Sequence, residues 1–139
     1  MKYKEKVIDR IIRYCVTSYK PINKSNMKMG SMPYNRRCHL NAVQCIRENK
    51  AISVYLCVCI SDKNDVIVHF INKDKDGYFI DNTLGWCYED LDYFLIREVD
   101  PSEYDNIGKI LDYTKEELVF KHSNSIMRKL TRIDFNNFI

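Results

Sequence analysis

Apolar residues recur at Val7, Ile8, Ile11, Ile12, Cys15 and Val16, and their spacings of one, three and four line one face of a helix over residues 4–19. Pro21 ends that pattern. The following stretch, PINKSNMKMGSMP (21–33), has turn formers, three methionines and no periodicity, and it predicts a long loop. A second helix begins near Cys38 with Leu40, Ala42, Val43, Cys45 and Ile46, and leaves through the charged run Arg47-Glu48-Asn49-Lys50. From Lys50 the composition turns to β-branched and aromatic residues. Residues 52–60 predict a central strand, 66–72 a second, 78–83 a third and 92–99 a fourth, with turns at 61–65 and 73–77. Read in order, the first three form an antiparallel meander, which Gly85-Trp86-Cys87 breaks before the fourth. Asp100-Pro101 closes the last strand and opens a helix reaching Leu111. Thr114-Lys115-Glu116-Glu117 has the capping-box spacing of another helix, and residues 123–133 predict a third. Helices, a meander, then helices define an α+β domain.

The 139 residues, 45% hydrophobic against 29% charged, suffice for one core, so residues 1–139 read as a single domain. Twenty-two basic and 19 acidic side chains nearly cancel to a net charge of +3. That balance argues against nucleic acid as a partner, even with Lys20, Lys24, Lys28, Arg36 and Arg37 near one another in sequence. No segment has the roughly 18 apolar residues of a membrane helix, and the charged start resembles no secretory signal, so a soluble cytoplasmic protein is expected. Its six cysteines are then reduced. Cys15, Cys45, Cys57 and Cys59 sit among Ile, Val, Leu and Tyr as small core residues, which leaves Cys38 and Cys87 needing another account.

The candidate chemistry lies in Asn35-Arg36-Arg37-Cys38-His39-Leu40-Asn41-Ala42, then His69 in one strand and Asp81-Asn82-Thr83 in the next. A cysteine attacks as thiolate, and a helix N-terminus favours that charge. Cys38 opens the second predicted helix, with Arg36 and Arg37 able to add positive charge if they turn toward it. An imidazole must take the thiol proton, and a third group commonly fixes its tautomer. If residues 73–77 form the hairpin loop, Asn72 pairs with Tyr78 and His69 lies opposite Asp81, whereas a two-residue turn at Asp76-Gly77 pairs His69 with Leu84. His39 is expected to face solvent. Asn41, one turn after Cys38, either bonds the helix entrance or orients the loop before it. Trp86 reads equally as the wall of a substrate cleft or as core.

The set Cys38-His39-x-Asn41-Ala42, Val68-His69-Phe70 and Asp76 to Thr83 resembles the papain-like thiol hydrolase superfamily, which includes bacterial cell-wall peptidases and transglutaminase-like proteins. It is similar in particular to small bacterial and phage proteins placed near that superfamily. The likeness spans about residues 33–99. It implies a papain-like core with N-terminal helices on the meander, Cys38 as nucleophile, His69 as general base and Asp81 orienting the imidazole. It also implies an oxyanion hole from the Cys38 N–H and an upstream donor, for which Asn35 or a group of the Met-rich loop is available. The implied activity is acyl transfer at a protein or peptide substrate through an acyl-thioenzyme, as amide hydrolase, deamidase or transglutaminase-like enzyme, with no cofactor. Two rivals stand beside it. A zinc site would draw on Cys38, His39, Cys57, Cys59, His69, Asp81 and Cys87, but Cys57-x-Cys59 in a strand lacks the knuckle that lets two thiolates share a metal, so no metal is expected. A non-catalytic binding protein, such as a phage or mobile-element inhibitor of a host protein, would use the 10 tyrosines and the loop methionines Met27, Met29 and Met32 as contact surface.

Overall fold

A computed structural model describes residues 2–31, 34 and 36–131. Along it the chain runs α1 (Tyr3–Ser18), β1 (Lys20–Pro21), β2 (Met27–Met29), α2 (Cys38–Arg47), β3 (Ser53–Ser61), β4 (Val66–Lys73), β5 (Phe79–Asp81), β6 (Leu91–Val99), α3 (Ile107–Lys121) and α4 (Ser125–Thr131). Short 3-10 turns cover Lys24–Asn26, Gly85–Asp90 and Pro101–Asn106. The fold is α+β, with an N-terminal helix, one mixed sheet and C-terminal helices. Among the described residues no helix is long and apolar enough to cross a membrane.

β3 is apolar at nearly every position because it is central and covered on both faces. Val54, Leu56, Val58 and Ile60 point to one side, where with Val68 and Phe70 of β4 they meet Val7 and Ile11 of α1, Val43 of α2 and Leu118 of α3. Cys57 and Cys59 point to the other side, into a smaller core with Ile71, Phe79, Leu91 and Tyr93. Two-sided burial thus explains an uninterrupted apolar run, where a half-exposed strand would alternate.

The strand order is β1-β6-β3-β4-β5-β2, in which β3, β4 and β5 make the expected antiparallel meander. β6 returns to pair with β3 instead of β5, because the turn Gly85–Asp90 carries the chain back across the sheet. The 21–33 stretch is not all loop. Its Pro21 belongs to β1, antiparallel to β6, and β2 lies parallel to β5. Neither short strand has the periodicity that sequence reading depends on. The predicted third strand shrinks to Phe79–Asp81, and the predicted helix start at Thr114 lies inside α3. There the Thr114 hydroxyl donates back to the Ile110 carbonyl at 2.7 Å. A capping box does operate at Asp100 and Glu103, before the 3-10 turn. The last predicted helix is observed as α4, and its residues 132 and 133 lie outside the described residues.

The β4–β5 hairpin turns through residues 74–78, with Asp74 Oδ1 accepting from the N–H groups of Asp76 and Tyr78 and Gly77 at φ +89°. Asn72 therefore pairs with Ile80 and Lys73 with Phe79. The five-residue loop expected at 73–77 is displaced by one residue and the two-residue turn is not formed, so extending this register sets Asp81 beside Ile71 and makes His69 its diagonal neighbour. A shift of two residues leaves side chains on the same face, so the meeting survives.

Buried asparagines join α2 to the sheet. Asn72 Nδ2 donates to the Ala42 carbonyl at 2.9 Å and to the Ser53 carbonyl at 3.3 Å, and its Oδ1 accepts from Asn82 Nδ2 at 2.8 Å. Asn72→Ala strands these partners without water. We expect it to destabilise the fold by about 1–3 kcal/mol, read as a lower urea midpoint at unchanged slope; an unchanged midpoint would mean the network is dispensable.

Candidate active site

Cys38 is the first residue of α2, and Arg37, the N-cap, offers no side-chain cap to the helix. The first N–H groups of α2 therefore keep their pull on negative charge. The approach to the helix is pinned by Asn41, whose Oδ1 accepts from Tyr34 N–H at 2.9 Å and whose Nδ2 donates to the Tyr34 carbonyl at 2.8 Å. The same Nδ2 donates to Thr83 Oγ1 at 2.8 Å and to the Asn82 carbonyl at 3.2 Å, linking that approach to the chain just past β5. Asn41 thus bonds the helix entrance, the first of its two readings. Between Tyr34 and Cys38, Arg36 adopts φ 59°, a sharp left-handed turn.

His69 and Asp81 are 2% and 0% exposed in side-chain terms. His69 Nε2 lies 2.9 Å from Asp81 Oδ1 and 3.0 Å from Oδ2. An ionised carboxylate only accepts, so Nε2 carries the donated proton, and Nδ1 is left as the ring atom able to exchange a proton with a thiol. Asp81 is further held by the N–H groups of Thr83 (2.9 Å) and Leu84 (2.7 Å) and by the Tyr93 hydroxyl, which donates to Oδ2 at 2.6 Å. β2 steadies the strand from its outer edge. Its Met29 is in register with Asp81, and Gly30 N–H donates to the Asp81 carbonyl at 2.8 Å. A Cβ on Gly30 would fall 2.0 Å from Asn82 Oδ1, so this close approach requires glycine.

Electrostatics couples these groups. Burial of the Cys38 thiol, 8% exposed, opposes ionisation. The hydrogen-bonding imidazoles of His39 and His69 and the Phe70 N–H outweigh it and bring the thiol down to about 6. Burial also disfavours a charged His69, yet the Asp81 charge and hydrogen bond hold its imidazolium well above the ordinary range. Asp81 resists its own burial through the His69 charge and the donors around it, and stays below the ordinary carboxylate value. Burial pushes the thiols of Cys15, Cys45, Cys59 and Cys87 up, opposite to Cys38. At neutral pH the arrangement is thiolate, imidazolium and carboxylate in sequence.

Cys38, His69, Asp81 and Asn41 are thus gathered around one spot. Asn35 lies outside the described residues. Trp86 is 72% exposed on the turn Gly85–Asp90, which corrects its reading as core. His39 is corrected too, for it is half-buried with its ring beside Gly108 of α3. Arg36 and Arg37 are exposed. Tyr93 and Asn72 were missed, and Asn82 was named beside Asp81 without a part of its own; Tyr93 alternates with Leu91 and Leu95 and reads as an ordinary core residue of β6. Among the described residues no three His, Cys, Asp or Glu side chains are placed to hold a metal ion. In comparison with known proteins, no family model, no curated protein and no solved structure matches the chain.

Because the folded thiol is lowered, its ionisation favours the folded state above the ordinary thiol value, and that contribution is lost as pH falls through about 6. Alkylation by iodoacetamide, assigned by mass spectrometry, should therefore reach half its maximal rate at Cys38 near pH 6. The midpoint should move toward the free-thiol value in His69→Ala. A wild-type midpoint near about 8.5 would mean that the three groups are not coupled.

Proposed function

We propose that the protein is a cysteine-dependent acyl-transfer enzyme of papain-like type. The observation that carries this reading is a lowered thiol at the uncapped start of α2 beside an imidazole whose far nitrogen is locked to a buried carboxylate. A helix-start thiol and an oriented imidazole are the two parts a covalent acyl mechanism requires.

In the proposed reaction the Cys38 thiolate attacks an amide or ester carbonyl, forming a carbon–sulfur bond and moving charge to the carbonyl oxygen. The N–H groups at the start of α2 stabilise that oxygen. His69, as imidazolium, protonates the leaving nitrogen or oxygen as its bond to carbon breaks, which leaves an acyl-thioenzyme and a neutral ring. His69 then takes a proton from the entering water or amine, whose attack releases Cys38 as thiolate and restores the imidazolium. Water gives hydrolysis or deamidation and an amine gives transfer, so one site serves all three. Asp81 keeps the ring in its working tautomer throughout. The substrate is a protein or peptide, with Trp86 on the adjoining turn supplying an exposed apolar contact. The free thiols of all six cysteines support a reducing compartment, the cytoplasm, as the setting.

A purely binding role is the second reading, favoured by one feature. Met29, itself exposed, packs against Gly85 next to Trp86 and makes an apolar surface that a partner can cover. p-Nitrophenyl acetate separates the two readings. The enzyme should release nitrophenolate and gain one acetyl group on Cys38. Cys38→Ala should abolish both events, His69→Ala should slow acylation by about 10²–10⁴-fold, and Asp81→Asn should slow it less, each with the fold intact by circular dichroism. Equal rates in wild type and Cys38→Ala would favour the binding role.

A further inference from the structure

The reading above leaves one buried polar group of the site without a part. Tyr93 is 2% exposed, and its hydroxyl donates to Asp81 Oδ2 at 2.6 Å. The two residues are far apart in the sheet. Tyr93 stands on β6 and Asp81 on β5, with β3 and β4 between them. The bond passes over intervening positions of β3 that are small. Cys59 is in register with Tyr93 and Cys57 with His69, and both thiols belong to the core that Tyr93 enters. A leucine or phenylalanine at either position would occupy the space between the ring and the carboxylate.

The division of Asp81's bonds gives the hydroxyl a specific task. Oδ1 accepts from the N–H groups of Thr83 and Leu84, which anchor it, Oδ2 accepts from Tyr93, and His69 Nε2 is shared between the two oxygens. Without the hydroxyl, Oδ2 keeps only its share of the mobile imidazole, and the carboxylate loses the one fixed donor that opposes its rotation about the Oδ1 anchor. Resting on the acyl-transfer reading, we infer that Tyr93 is a positioning residue of the site, fixing the Asp81 carboxylate so that His69 is held against Cys38. It acts through Asp81 and His69 and does not touch the thiol or the substrate. The ionisable groups facing this assembly are His39 from α2, Cys57 and Cys59 from β3 and Cys87 from the turn after β5. None of them bonds the Tyr93 hydroxyl among the described residues.

Tyr93→Phe removes one oxygen and keeps the ring. The test compares the pH profile of Cys38 alkylation by iodoacetamide in wild type, Tyr93→Phe, His69→Ala and the double variant. We expect Tyr93→Phe to alkylate at least about fivefold more slowly than wild type near pH 6.5 and to converge with it at high pH, where both thiols are fully ionised. In the His69→Ala background the same change should alter the rate by less than about twofold, since the route to the thiol is already cut. A Tyr93→Phe profile that overlays wild type, an equal loss in both backgrounds, or failure of Tyr93→Phe to fold would each overturn the inference and leave the hydroxyl a structural bond. Wild-type behaviour distinguishes this from failure of the acyl-transfer reading, which would appear as an ordinary thiol profile before any tyrosine is changed.

Discussion

A carboxylate with no access to water must be matched by donors on every side, because leaving it ionised and unpaired costs several kcal/mol. Asp81 is in that position, and meeting its demand draws in much of the domain. β4 supplies the His69 ring, β6 supplies the Tyr93 hydroxyl, and the chain leaving β5 supplies two backbone N–H groups. Other features follow from the same demand. Cys57 and Cys59 have to be small to leave the path of the Tyr93 side chain open, and Gly30 has to lack a Cβ for β2 to brace the strand.

The thiol reaches this assembly from the opposite layer. Cys38 packs with the helix-side core, while His69 points into the smaller core on the other face. They meet at the edge of β4, because β5 is registered against it only at Asn72 and Lys73, leaving the Phe70 N–H to face the sulfur. The short third strand is therefore a requirement of the site. A β5 extended along all of β4 would pair that N–H and close the approach. The asparagines at 41, 72 and 82 then hold α2 at this gap, giving the helix a unique seat where apolar packing alone would tolerate sliding.

Much of this was legible in one dimension. The spacing from Val7 to Val16, the two-sided apolar run of β3 and the turn formers at 61–65 and 73–77 report local periodicity and turn chemistry, and α1, β3, β4 and β6 lie within a residue or two of their expected bounds. Cys38 at a helix start was readable as well, since the apolar pattern of 40–46 needs a beginning. The face shared by His69 and Asp81 was also within reach, because side-chain parity survives a register error of two. β1 and β2 left no trace of this kind, as segments of two and three residues show no period.

What the sequence determined by itself was the set of elements, the side each residue takes within its own element, and the order of thiol, imidazole and carboxylate along the chain. The tertiary structure alone decided that β6 returns beside β3, that Trp86 stays outside the core, that His39 packs beside Gly108 and that the Tyr93 hydroxyl ends at Asp81. The physical reason is range. Periodicity and turn propensity act over a few neighbouring residues, whereas these outcomes depend on strand pairing, sheet curvature and buried hydrogen bonds between residues that only the complete fold brings together.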